Sequence, residues 1–115
     1  MRNVTVSATQ MSCSWDLENN IVNAEKLVRQ AHAKGAQVIL IQELFAAPYF
    51  CIDQSPEHYS LAQELDNSPL IRHFSALAKE LEVVLPLSFF EKCNNAYYNS
   101  LVMIDADGSV LDVYR

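Results

Sequence analysis

Glycine is almost missing from this chain, with Gly35 and Gly108 as its only two. That shortage excludes the glycine-rich turns that cradle phosphates, both the dinucleotide fingerprint and the P-loop, so no nucleotide cofactor is expected. Cysteine is also sparse. Cys13, Cys51 and Cys93 are odd in number and widely scattered, which fits reduced thiols in a cytoplasmic protein better than a disulfide framework. No His or Cys pair has metal-ligand spacing, and no metal site is expected. Positive charge is the third deficit: eight Lys and Arg against fourteen acids give a net charge of -6. Such a surface repels nucleic acid phosphates and anionic lipid heads, so neither is an expected partner. No apolar run approaches the roughly 18 residues of a membrane span, and the first residues carry no signal-peptide pattern.

What is present reads as one domain over residues 1–115. Half the residues are hydrophobic and 19% are charged, the balance of a globular protein. Val4, Val6 and Ala8 alternate with polar residues, which predicts a strand over about residues 3–10 with that apolar face buried. Asp16 is a plausible N-cap for a helix carrying Ile21, Ala24, Leu27, Val28 and Ala31 at helical spacing, and Gly35 ends it. Val38 to Ile41 is continuously apolar and reads as a central strand covered on both faces. Strand, helix and strand make a βαβ unit with parallel strands.

An aromatic, proline-broken stretch follows from Phe45 to Pro56, too apolar for a solvated loop. A short helix is expected over Glu57 to Leu65. Ser68-Pro69 then start a second helix, with Pro at its first position and Ile71, Phe74, Leu77, Ala78 and Leu81 facing inward. Val83 to Phe90 reads as a strand in which Pro86 implies an edge or a bulge. Tyr98–Ile104 and Ser109–Tyr114 flank the turn Asp105-Ala106-Asp107-Gly108 and predict a hairpin. The chain reads as α/β, and its end directly after a strand suggests a fold cut short.

Glu43 is the strongest candidate for chemistry. It stands at the carboxyl end of the apolar strand, where open α/β sheets place their ligand-binding groups. Leu40, Leu44 and Phe45 would give it the apolar surroundings that suit a general base. The other reading, an acid capping the following turn, stays open on position alone. Of the thiols, Cys51 is the least unlikely nucleophile, but none has an evident base beside it. His32, His58 and His73 all read as surface residues.

The segments Val4 to Met11, Asn20 to Gly35 and Val38 to Phe45, followed by Ser88-Phe89-Phe90-Glu91, by Tyr98 to Gly108 and by Val113-Tyr114-Arg115, resemble the nitrilase superfamily of carbon-nitrogen hydrolases in order and spacing along the whole chain. That resemblance implies a four-layer α-β-β-α sandwich, of which these residues would be the N-terminal part. It also implies a Glu, Lys and Cys triad with Glu43 as the glutamate, while the lysine and the nucleophilic cysteine would lie beyond Arg115. Tyr49 and Phe50 would shape the substrate pocket. The implied substrate is a small linear carbamoyl amine, hydrolysed without a cofactor, and the implied assembly is a homo-oligomer. The rival expectation is a stable but non-catalytic piece.

Overall fold

The computed structural model describes residues Met1 to Arg115. Strand β1 (Val6–Ala8) leads to helix α1 (Leu17–Ala33) and strand β2 (Val38–Leu40). Three short 3-10 turns, Phe50–Ile52, Pro56–Leu61 and Leu65–Asn67, precede helix α2 (Pro69–Leu81). Strands β3 (Leu85–Cys93), β4 (Ala96–Ile104) and β5 (Val110–Tyr114) finish the chain.

β1 and β2 pair in parallel, with Val6 opposite Val38 and Ala8 opposite Leu40, while β3, β4 and β5 form an antiparallel meander. Val84 joins the two groups. Its N–H donates to the Gln37 carbonyl at 2.9 Å and its carbonyl accepts from the Ile39 N–H at 3.0 Å, so β2 runs between β1 and the start of β3.

Both helices begin where their local chemistry says they should. The Asp16 carboxylate accepts from the Asn19 N–H at 3.1 Å, and the Ser68 hydroxyl accepts from the Ile71 N–H at 3.1 Å ahead of Pro69. Each cap satisfies a backbone donor that the first helical turn leaves unpaired. The helices lay their apolar stripes on one side of the strands. A single cluster of 19 buried residues results, drawing Val28 from α1, Phe74 from α2, and Ile39, Leu87, Phe89, Val102 and Ile104 from the strand side. Phe45 meets Phe74 edge-on at 5.4 Å within it.

The opposite side of β1 and β2 corrects two expectations. The strand predicted over residues 3–10 is limited to three residues, and its Val4, Val6 and Ala8 face is exposed, not buried. β2 is covered on one face only, with Ile39 fully buried and Leu40 45% exposed. Alternation explains the split: odd-numbered residues of β2 point to the helices and even-numbered ones to the open side.

The helix expected over Glu57 to Leu65 is also corrected, to two separate 3-10 turns. The chain leaves the first at Ala62 because Gln63 is drawn onto the edge of β3. The Gln63 N–H donates to the Phe90 carbonyl and its carbonyl accepts from the Lys92 N–H, both at 2.9 Å. Two strand-type bonds outweigh another turn of poorly aligned 3-10 bonding. Pro86 falls between the Val84 and Gln63 bridges on that flank of β3, as a strand proline requires. β3 and β4 run further than expected, to a two-residue turn at Asn94 and Asn95 in which Asn94 takes φ 53°; asparagine tolerates that conformation better than most residues. At the second hairpin Gly108 has φ 86°, and a Cβ there would come 2.7 Å from the Ser75 carbonyl oxygen of α2.

Candidate active site around Glu43

Glu43 follows β2 directly, and the residues on either side of it are fixed by side chains. The Gln42 amide pairs with the backbone of Met11 in both directions, its Oε1 accepting from the Met11 N–H at 2.7 Å and its Nε2 donating to the Met11 carbonyl at 2.9 Å. A side chain thus continues the β1–β2 ladder where the backbones diverge. Leu44 then turns the chain with φ 50°, and its N–H donates to the Ser88 hydroxyl of β3 at 3.0 Å in a buried position. A left-handed residue with a side chain carries a strain of about 1 kcal/mol, and the turn holds because Leu44 is buried against Ala47 and Phe50.

That turn sends the Leu44 and Phe45 side chains into the interior and leaves Glu43 exposed. The apolar surroundings expected for Glu43 are therefore corrected in part: Leu44 and Phe45 point away from it, while Leu40 borders the same hollow. Its own partners are polar and neutral. Asn99 of β4 donates from Nδ2 to Oε1 at 2.5 Å, and the Tyr49 hydroxyl makes a longer contact of 3.5 Å with the same oxygen. The carboxylate borders an open hollow of about 330 Å³ whose walls include Gln42, Ser88, Asn99 and Tyr114. The negative charge of Glu43 pushes the Tyr49 hydroxyl's pKa up. A carboxylate so placed can accept a proton from a group entering the hollow.

Tyr49 and Phe50, both expected at a substrate pocket, diverge here. Tyr49 is 48% exposed and reaches Glu43. Phe50 is buried at 8% exposure, beside Phe90 and His58 with ring centroids 5.0 and 5.4 Å away. His58, read as a surface residue, is half-buried and also stacks on Trp15 at 5.5 Å. His73 is tied to Glu25 of α1 at 2.7 Å and links the two helices. Cys51 is exposed. Burial pushes the Cys13 thiol's pKa up, away from the reactive thiolate.

Three residues that shape the site gave no signal in the sequence. Asn20, fully buried on α1, donates from Nδ2 to the Ala46 carbonyl at 3.0 Å and to the Ser14 carbonyl at 2.6 Å, anchoring the loop after Glu43. Ser88 and Asn99 reach the Glu43 region from strands more than 40 residues further along the chain. A second carboxylate, Glu91, lies in β3 with 2% exposure. It accepts from Ser100 at 2.6 Å and from Arg115 through both oxygens at 2.7 and 2.8 Å. The Arg115 guanidinium holds its carboxyl below the usual range, with Ser100 acting in the same direction.

An α/β scaffold that holds a solvent-facing carboxylate at the carboxyl end of a strand puts it where such sheets bind their ligands. Residues 5–115 match the Carbon-nitrogen hydrolase family, and the chain belongs to that family. It is 53% identical over 114 residues to the N-carbamoylputrescine amidase of Arabidopsis thaliana, a match that covers 99% of this chain and 38% of that protein. It is 42% identical to the citrullinase of Francisella tularensis subsp. tularensis, over 100% of this chain and 40% of the relative. The carbon-nitrogen hydrolase of Helicobacter pylori G27 superposes with a TM-score of 0.88 at 31% identity, covering 97% of this chain and 39% of that one. The chain thus spans well under half the length of these relatives, and it has the α/β fold of the corresponding part of the family's structures.

Proposed function

We propose that residues 1–115 form the N-terminal portion of a single carbon-nitrogen hydrolase domain that cleaves N-carbamoylputrescine with water to putrescine, carbon dioxide and ammonia. The observation that carries this is Glu43: a carboxylate at the end of β2, open to a hollow, with one oxygen bound by neutral donors. In this reading Glu43 is the general base. It takes the proton of a cysteine thiol as the sulfur attacks the carbamoyl carbon, returns it to the nitrogen that leaves as ammonia, and then activates the water that hydrolyses the remaining thiocarbamate; the carbamic acid so released loses carbon dioxide to give putrescine. The attacking cysteine and the lysine that stabilises the oxyanion are supplied from outside these residues. Tyr49 borders the substrate, and Phe50 supports the loop from below.

N-Carbamoylputrescine and citrulline both carry a terminal carbamoyl group on a linear amine, so the chemistry at Glu43 is common to both. The identity of 53% to the plant amidases against 42% to the citrullinase favours the diamine derivative. The protein reads as cytoplasmic, supported by its three unpaired cysteines, and as a homo-oligomer, as the family resemblance implies. Ammonia release by the intact protein from each substrate tests the assignment. N-Carbamoylputrescine should be turned over with the higher kcat/KM, and Glu43→Gln should reduce kcat at least a hundredfold, about the contribution of one general base. Near-normal turnover by Glu43→Gln would sink the general-base role, and preference for citrulline would move the substrate.

A further inference from the structure

The two oxygens of Glu43 are treated differently by the protein. Oε1 receives Asn99 at 2.5 Å and Tyr49 at 3.5 Å, whereas Oε2 receives no donor from the chain. We propose that Asn99 is the positioning residue for Glu43: its amide fixes Oε1 and so presents Oε2 as the oxygen that takes up and returns the proton. This rests on the general-base reading of Glu43.

Both partners are held on rigid supports. Asn99 lies in the middle of β4, opposite Phe90 in the β3–β4 register, and its neighbour Ser100 is tied by its hydroxyl to buried Glu91 at 2.6 Å. Glu43 is held from the front by the pair of hydrogen bonds between Gln42 and Met11 and from behind by the hydrogen bond of the Leu44 N–H to Ser88. A contact between residues 56 positions apart thus joins two fixed backbones. Only the NH2 end of the amide can face a carboxylate oxygen, so the orientation of Asn99 is dictated by chemistry. The choice of a neutral donor matters as well. A lysine or arginine at this position would bind the carboxylate as an ion pair and hold its charge against protonation, while an acid would repel it. An amide orients the base and leaves it a base.

The contact can be read without any catalysis. In the proton–nitrogen spectrum of the chain, the side-chain NH2 signals of Asn99 should move as Glu43 titrates, and Glu43→Gln should abolish that movement. Signals that ignore the titration would overturn the proposal. In the intact protein, Asn99→Leu should lower kcat about a hundredfold, the scale of a lost orientation, with KM changed less than twofold. Isosteric Asn99→Asp, which exchanges the donor for a like charge, should lose more, and Asn99→Gln should regain part of the loss. Unchanged kcat in both Asn99→Leu and Asn99→Asp would overturn the positioning role even if the spectrum shows the contact. Full turnover by Glu43→Gln with the spectral contact intact would instead overturn the general-base reading, which separates the two failures.

Discussion

Glu91 and Glu43 are carboxylates served by adjacent residues of one strand, and they live in opposite worlds. Ser100 binds Glu91 on the side of the sheet that faces the core, and Asn99 binds Glu43 on the open side. Around Glu91 the protein supplies a full countercharge, a hydroxyl and near-complete burial, with Arg115 also resting 4.8 Å from the centre of the Tyr98 ring. Around Glu43 it supplies two neutral donors and open space. A carboxylate saturated by a guanidinium fork is fixed in charge and geometry and serves the fold. One that keeps a free oxygen can change its protonation during a reaction. Burial, often taken as the mark of a catalytic acid or base, singles out Glu91, whose charge is already paired with Arg115.

The sharpest way to break this contrast is to remove the countercharge. Arg115→Met strands the Glu91 carboxylate in the interior and should lower the urea midpoint more than any other substitution considered below, because an unpaired buried charge keeps its full desolvation penalty. The double variant Arg115→Met/Glu91→Gln should recover most of that loss; a double variant no more stable than the single would show that the charge is not what destabilises it. Next in size is Ser88→Ala, which leaves the buried Leu44 N–H without an acceptor. A loss of about 1 to 2 kcal/mol in denaturant unfolding is expected, together with faster exchange of the Leu44 amide.

The third effect is one of pH. Glu91 has its carboxyl depressed below the ordinary value of 4.5, first by Arg115, so the folded chain takes up this proton less readily than the unfolded one. Its contribution is therefore fully present above the unfolded value and fades as the pH falls through the lower, folded one. Unfolding midpoints measured from pH 5 downward should decline less steeply in Glu91→Gln than in the native chain. The smallest effect completes the comparison: Glu43→Gln should leave the unfolding midpoint at pH 7 where it was, since an exposed acid with neutral partners gives the fold little. A marked loss there would make Glu43 a structural residue after all.

The same division governs what could be read from the sequence. Asp16, Ser68-Pro69 and Gly108 announce themselves through bonds or backbone angles within a few residues, and the helix starts and hairpin turn fall where they place them. Glu43 was legible for a related reason, as the acid that ends an apolar strand. Its setting was not. Ser88 and Asn99 become neighbours of the site only when β3 and β4 take their place beside β2, and nothing in a serine or an asparagine on a strand foretells that. Arg115 looks like any arginine after a strand until Glu91 is seen facing it. The 3-10 turns in place of a helix have the same origin, for it is the edge of β3 that claims Gln63. The exposed face of β1 shows the converse limit: alternation in Val4, Val6 and Ala8 reports a side meant for apolar contact, and cannot report whether these residues alone provide it.

Gly108 carries a consequence beyond its turn. With the Ser75 carbonyl so near the place a side chain would occupy, the hairpin tip rests on the backbone of α2 with no flexible layer between them. The tip therefore sits directly on the middle of the helix, and any side chain at position 108 would have to part the two. Amide hydrogens in the two segments should exchange with solvent as one cooperative unit, and Gly108→Ala should loosen both together.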